Sequence, residues 1–133
     1  MDLRFAAYKT KVFARFARKA RISDAMLWKA ALDVNLGRID ADLGGDVVKQ
    51  RVARAGQGKS GGSRTILVVR RGSRVVFVDG FEKKDQSNIG PDDLVLYREL
   101  APLFLDASEA QIARWVEAGE LLEIGSEERK RGG

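Results

Sequence analysis

Lysine and arginine side chains crowd the middle of this chain, and they are its clearest candidates for chemistry. Residues 47–74 contain eight Lys or Arg and no Asp or Glu. An acid-free block of this kind presents a cationic surface, which favours binding to a polyanion, and nucleic acid is the commonest one. Residues 85–133 contain five basic and eleven acidic residues, a net charge of −6. We therefore predict a basic working face backed by an acidic C-terminal region.

The residue types that are missing narrow the possible chemistry. The chain has no His and no Cys, so it lacks the usual neutral-pH base and can form neither a disulfide nor a thiolate metal site. Catalysis would depend on Lys, Arg, Tyr or carboxylates, and we expect no metal and no cofactor. Asp40, Asp42 and Asp46 cluster beside glycines, which favours turn capping over a Mg²⁺ site. The Gly-Lys-Ser of residues 58–60 lacks the spacing of a phosphate-binding loop and precedes a strand.

Three predicted strands carry most of the cations. They are Val47–Arg54, Arg64–Arg71 and Arg74–Phe81. Gly72 and Ser73 form a two-residue hairpin turn between the last two strands, and residues 55–63 form a glycine-rich loop. Because side chains alternate along a strand, Lys49 and Arg51 point to the face opposite Val48, Gln50 and Val52.

Helices are predicted on both sides of this strand region. Residues 9–22 have apolar residues, Val12 among them, at helical spacing, and a short strand near residues 10–13 is the alternative for the start of this segment. Ser23 caps a second helix that Gly37 ends, and residues 38–46 read as a loop. Pro91 begins a third helix that Pro102 kinks or ends. Ser108 opens a last helix through a capping box.

These elements predict an α+β fold, a small antiparallel sheet packed against N-terminal helices with further helices at the C-terminus. The 133 residues suit one domain, which we place at residues 1–125, followed by a solvated tail at residues 126–133. The apolar runs are far shorter than the roughly 20 residues that span a bilayer, and no signal peptide is evident. We expect a cytoplasmic protein that has no membrane partner.

Four short motifs, in order, give a more specific indication. They are IDADLGG, KQRVAR, GQGKSGGSR and GFEKKDQSNI, beginning at residues 39, 49, 56 and 80. Together with the order of elements, they make residues 9–125 closely resemble the RelE/ParE toxin superfamily, and within it the HigB-like bacterial group. The resemblance implies a toxin that enters the ribosomal A site and cuts mRNA. It also implies a cognate antitoxin, frequently a helix-turn-helix protein, that silences the toxin.

The resemblance also assigns roles to individual residues. Its implied catalytic set is Lys49, Arg51, Arg64 and Lys83, and its implied RNA-binding set is Lys59, Arg54, Lys84 and Phe81. RNA cleavage through the 2′-hydroxyl needs a base, a stabiliser of the phosphate's growing charge and an acid. Arginine supplies a planar fork for phosphate oxygens, and repulsion among clustered cations can lower the pKa of a lysine enough for proton transfer.

Three positions depart from the family pattern. Arg51 stands where relatives have a lysine, Ser63 where they usually have an aromatic residue, and Gly90 near the place of a base-stacking tyrosine. Phe81 could stack on a base instead, or it could be a core residue of its strand.

Two other functions are compatible with the same resemblance. The ParE branch shares the fold and inhibits DNA gyrase without cleaving RNA, although its members generally lack the full cationic set. A non-catalytic member would only bind RNA or its antitoxin.

Overall fold

The structure, a computed structural model, describes residues 4–53, 62–82 and 89–126. Its strands are β1 (Ala6–Thr10), β2 (Ala41–Gly44), β3 (Val47–Val52), β4 (Ser63–Arg70), β5 (Arg74–Phe81) and β6 (Leu121–Ser126). Its helices are α1 (Lys11–Ala20), α2 (Asp24–Asn35), α3 (Pro91–Leu105) and α4 (Glu109–Glu117). The predicted α+β fold is confirmed.

All six strands join one sheet in the order β2-β3-β4-β5-β1-β6. Strand β1 runs parallel to β5, and every other neighbouring pair is antiparallel. The sheet is therefore mixed rather than wholly antiparallel. The parallel pair arises because α1 and α2 follow β1 directly and carry the chain across the sheet before the next strands form.

Helices cover both faces of the sheet, with a hydrophobic cluster under each layer. Helices α1 and α2 pack on one face over residues that include Val48, Leu67 and Phe77. Helices α3 and α4 pack on the other over Val47, Val68 and other strand residues. The two clusters divide each strand by side-chain alternation, and residues with odd numbers in β3 face α3.

Side-chain caps fix where three helices begin. The hydroxyl oxygens of Thr10, Ser23 and Ser108 accept hydrogen bonds from the backbone N–H three residues later, at 3.0–3.2 Å. These bonds satisfy backbone donors that the first turn of a helix leaves without partners. The predicted cap at Ser23 and the Ser108 half of the predicted capping box are confirmed, whereas the Gln111 side-chain oxygen accepts from Arg114.

Several local predictions are corrected by the structure. Residues 41–44 form strand β2 inside the predicted loop, and strands β1 and β6 were not predicted as full strands. Helix α3 continues through Pro102 to Leu105, because only one turn follows the proline and little backbone hydrogen bonding is lost. Val12, predicted to be in the apolar stripe of α1, is 65% exposed, since Phe13, Ala17 and Ala20 form the buried side of that helix.

Three cations of the basic block have structural partners at the β4–β5 hairpin. Arg74 is 5% exposed, and its guanidinium donates to the carbonyls of Phe104 and Ala107 and to Glu109 at 2.7–2.9 Å. Arg70 donates to Asp106 at 2.7 Å, and Arg71 donates to the carbonyl of Asn35. Arg74 is therefore withdrawn from the cationic surface predicted for residues 47–74, whereas Arg70 and Arg71 stay exposed while they hold these contacts.

Candidate nucleic-acid interface

Strand register brings three of the predicted site residues to one place. Arg51 of β3 lies directly opposite Arg64 of β4, and Arg64 lies opposite Phe81 of β5. Lys49 lies one row further along, opposite Ile66, which faces Asp79. Directly opposed residues share a face of the sheet, so Lys49, Arg51 and Arg64 project on the α3 side. We call these three side chains the cationic face.

Elementary strand geometry sets the spacing of these cations. Neighbouring strands lie roughly 4.8 Å apart, and residues two apart on one strand are separated by roughly 6.6 Å. The diagonal between Lys49 and Arg64 is about 7–8 Å. A phosphate group bound over this face of the sheet would thus be within reach of all three side chains.

Helix α3 leaves this end of the sheet partly open. It covers the rows that contain Val47, Val68 and Val76, which are completely buried. Beyond them, Lys49 and Arg64 are half-buried and Arg51 is exposed. The cationic face is therefore a rim beside an apolar core, where partial desolvation strengthens the attraction between a cation and a bound anion.

The backbone at Gly62 positions Arg64. One guanidinium nitrogen of Arg64 donates to the Gly62 carbonyl at 3.1 Å. A Cβ at position 62 would lie 2.2 Å from the carbonyl oxygen of Val52, so only glycine allows the chain to approach β3 this closely. A guanidinium has five N–H donors, and those not directed at Gly62 remain available for phosphate oxygens.

A buried polar network holds β3 in register. Gln50, 1% exposed, donates to the Arg38 carbonyl and accepts from the Asp40 N–H, both at 2.9 Å. The hydroxyl of Thr65 donates to the Gln50 carbonyl at 2.8 Å. Because buried polar groups are costly to leave without partners, this network fixes the strand that carries Lys49 and Arg51.

The predicted carboxylate cluster has structural roles. Asp40 accepts from the backbone N–H of Arg51 at 2.8 Å, and Asp42 accepts from that of Gly44 at 2.9 Å in a side-chain-closed turn. Asp46 lies 3.9 Å from a guanidinium nitrogen of Arg70. Among residues 4–53, 62–82 and 89–126, no group of acidic side chains could hold a metal ion.

A tyrosine–aspartate pair lies beside the cationic face. The Tyr97 hydroxyl of α3 donates to the Asp79 carboxylate, and Asp79 occupies the same cross-strand row as Lys49. Burial of Tyr97, followed by its contact with Asp79, raises the pKa of the hydroxyl well above its ordinary value. The hydroxyl therefore stays protonated at neutral pH and keeps Asp79 turned toward α3.

A cleft of about 330 Å³ adjoins Arg51 on the side of α2. Met26 and Ala30 of α2 line it, together with Val52 of β3. Lys29 and Asp33 also line it, and their charged groups lie 3.6 Å apart. The cleft is a concave, partly apolar surface next to the end of β3 that carries Arg51.

The chain matches a known protein family over most of its length. Residues 5–124 match the family described as the RelE toxin of the RelE/RelB toxin-antitoxin system. The chain belongs to the RelE toxin family. It is thus a toxin of a toxin-antitoxin system, with an antitoxin as its partner. No curated protein shows significant similarity to the chain, and the HigB-like subgroup stays a prediction.

The structure shows the surroundings of Ser63, a departure from the RelE pattern, and of Phe81, the residue suggested in place of the stacking tyrosine. Ser63 is completely buried, and its hydroxyl donates to Glu82 at 2.7 Å. Phe81 is 9% exposed and belongs to the cluster under α3. The alternative of a core phenylalanine accounts for that burial, and base stacking by Phe81 stays a prediction.

The other predicted site residues of this RelE-family chain lie outside the described residues. They are Arg54, Lys59, Lys83 and Lys84. The ends of β4 and β5 nearest to them carry Arg64 and Phe81. Their membership of the site stays a prediction.

Sequence reasoning did not find the contacts that support the cationic face, although it had named Asp40 as a turn-capping residue. Asp40, Asp79 and Tyr97 act through contacts between elements that are far apart in sequence. Asp40 belongs to the IDADLGG motif, and that motif was the only available signal. Nothing in the local sequence of Tyr97 indicates its partner.

Within the described residues, no helix is long and apolar enough to span a membrane.

Proposed function

We propose that this RelE-family toxin is a metal-independent endoribonuclease that cleaves mRNA on the ribosome and so inhibits translation. The observation that supports the proposal most strongly is the register of β3 and β4, which sets Arg51 against Arg64 and leaves Lys49 in the next row. A cationic face at the rim of an apolar core suits the phosphodiester backbone of RNA.

In this proposal Arg64 binds the scissile phosphate. Its guanidinium is held at one nitrogen by the Gly62 carbonyl, so its fork is oriented before substrate binds. A preorganised donor stabilises negative charge as it develops on the phosphate, without reorganisation during the reaction. Arg51, exposed and opposite Arg64, adds charge stabilisation rather than proton transfer, because a guanidinium stays protonated.

Lys49 is the proposed proton-transfer residue. It is half-buried and lies two residues from Arg51 on the same face. Among the three cations of the face, it alone carries an amine, a group that can serve as a base, whereas a guanidinium cannot. It would take the proton from the ribose 2′-hydroxyl as that oxygen attacks the adjacent phosphate.

The remaining proposed roles follow the family pattern. Lys83 would protonate or stabilise the leaving 5′-oxygen, while Arg54, Lys59 and Lys84 would bind flanking phosphates. Phe81 would stack on a base. The cognate antitoxin would be a helix-turn-helix protein, and the chain would act in the cytoplasm.

Mapping of mRNA 5′ ends after controlled expression tests this function. Wild-type chain should produce new 5′ ends at fixed codon positions within translated frames, and Arg64→Ala should not. Arg114→Ala is the control, because Arg114 is exposed on α4 and contacts Gln111. Growth arrest without new mRNA ends, accompanied by gyrase–DNA cleavage complexes, would instead assign the chain to the gyrase-inhibitor class.

A further inference from the structure

An apolar groove lies away from the cationic face, where α1 meets the C-terminal elements. Its volume is about 340 Å³, and its apolar lining is Val12, Leu103, Phe104, Trp115 and Leu121. The rings of Phe104 and Trp115 meet edge to face with centroids 5.6 Å apart. Val12 and Leu103 are 65% and 52% exposed, so two large aliphatic side chains of the groove lie largely in solvent.

The exposed side of α3 extends this groove. Leu96, Leu100 and Leu103 follow the spacing i, i+4, i+7, which places them along one side of the helix. Leu96 is 50% exposed and Leu100 is half-buried. The buried side of α3, with Tyr97, Ala101 and Leu105, points to the sheet. The leucine row is therefore an apolar helix face that the described part of the chain leaves largely uncovered.

The neighbouring helix supplies charge of one sign. Helix α1 contains no acidic residue, and its exposed side carries Lys11, Arg15, Arg18 and Lys19. Within residues 4–53, 62–82 and 89–126, none of these four forms an ion pair. Lys11 and Glu120 both line the groove, so its wall carries one cation and one carboxylate, and the further cations of α1 continue outward from Lys11.

We propose that this groove is a docking site for the cognate antitoxin, which inserts an acidic amphipathic segment. Apolar side chains of the segment would fill the space between Val12 and Leu103, and its acids would lie along α1. Charge complementarity selects this occupant: α1 carries four cations that form no ion pair within the described residues, against one carboxylate, Glu120, in the groove lining. This excess of positive charge beside an apolar surface matches a ligand with apolar and anionic sides. The proposal depends on the chain being a RelE-family toxin, which requires an antitoxin, and not on the nuclease activity.

The position of the groove separates neutralisation from the cationic face. Leu121 begins β6, and Arg51 belongs to β3, four strands away in the sheet. Four strand spacings amount to roughly 19 Å. A segment docked in the groove would hold the antitoxin on the toxin through contacts distinct from Lys49, Arg51 and Arg64.

Titration calorimetry with the purified antitoxin encoded beside this chain tests the proposal. Leu103→Asp and Val12→Asp should each raise Kd about 30-fold or more, as expected for a central apolar contact. The matched control is Val95→Asp, because Val95 is 54% exposed on α3, is not part of the groove lining and lies about 12 Å from Leu103 along the helix axis. It should change Kd by less than about threefold, the range of a residue outside the contact.

A charge variant tests the second half of the proposal. Lys11→Glu combined with Arg15→Glu should raise Kd about tenfold at 0.1 M salt and much less at 0.5 M salt, because exposed charges are screened. Equal Kd values for Leu103→Asp, Val12→Asp and Val95→Asp would overturn the docking site. So would a dimer of the chain alone that Leu103→Asp dissociates, since the groove would then belong to a second copy. Because the readout is binding, a failed nuclease assay would leave this result unaffected.

Discussion

Arg64 and Lys49 carry different parts of the proposed reaction, although both are cations on one face of the sheet. Arg64 has a fixed hydrogen bond to Gly62 and an arginine opposite it. Lys49 lies one row deeper, next to the apolar residues under α3. Substitutions that keep charge but change chemistry can therefore separate phosphate binding from proton transfer.

Growth arrest on induction measures the first prediction. Arg64→Ala should lose growth arrest, because removing one preorganised donor lowers such rates by ~10²–10³. Lys49→Ala should lose it too, since a positioned base contributes ~10²–10⁴. Lys49→Arg is the charge-matched control and should also be non-toxic, because arginine cannot give up its proton. Full toxicity of Lys49→Arg would show that Lys49 only supplies charge.

The Tyr97–Asp79 pair makes a prediction about pH. Tyr97→Phe should lower the free energy of unfolding at pH 7 by about 1–2 kcal/mol, because the Asp79 carboxylate loses a buried donor. Since the folded-state pKa of Tyr97 is raised, its contribution is fully present below the unfolded value of about 10 and declines as pH rises above it.

Urea unfolding at pH 7, 9 and 10.5 measures this effect. The difference between wild type and Tyr97→Phe should be constant from pH 7 to 9 and should shrink by about 1 kcal/mol at pH 10.5. Other titrating groups are common to both proteins and cancel in the difference. A difference that stays constant up to pH 10.5 would mean that the Tyr97 hydroxyl is not held in its protonated form by the fold.

At the scale of elements, the sequence predicted the features that short-range interactions determine. The caps at Ser23 and Ser108 and the three central strands were read from the sequence, because side-chain caps and strand alternation are short-range effects. Strand β2 was missed because residues 41–44 pair only with β3. Strand β6 was missed because its partner, β1, is more than one hundred residues away in sequence.

The candidate site also combines features that local patterns predict with features that depend on long-range contacts. The faces of Lys49 and Arg51 followed from alternation, but their position opposite Arg64 depends on a register that no local pattern encodes. The resemblance to RelE toxins named these residues, whereas the structural use of Arg70, Arg71 and Arg74 became visible only from their contacts. Cations that look alike in the sequence thus include candidate site residues and residues that hold elements together.

Arg74 provides the prediction at this scale, because it joins the hairpin to both C-terminal helices. Arg74→Ala should lower the free energy of unfolding by about 2–4 kcal/mol, since two backbone carbonyls lose their donor in a buried site. Arg70→Ala is the matched control on the same hairpin. Its side chain is 44% exposed, and its loss should amount to about 1 kcal/mol or less. Denaturant unfolding of both variants measures the difference, and equal losses would contradict the structural role of Arg74.

At the scale of the whole molecule, the charges of the chain are divided between separate tasks. The β3–β4 end presents the cationic face, the hairpin end uses its arginines to hold α3 and α4, and the outer side of α1 borders the apolar groove. A single net charge of +5 conceals this arrangement. In the two proposals, RNA contacts and antitoxin contacts therefore use different parts of one sheet.

Single-turnover cleavage of mRNA on ribosomes programmed with a codon in the A site tests the central claim most directly. Purified wild-type chain should cut that codon, Arg64→Ala should do so ~10²–10³ more slowly, and Arg114→Ala should match the wild type. Cleavage by Arg64→Ala at the wild-type rate, or no cleavage by the folded wild-type chain, would contradict the account.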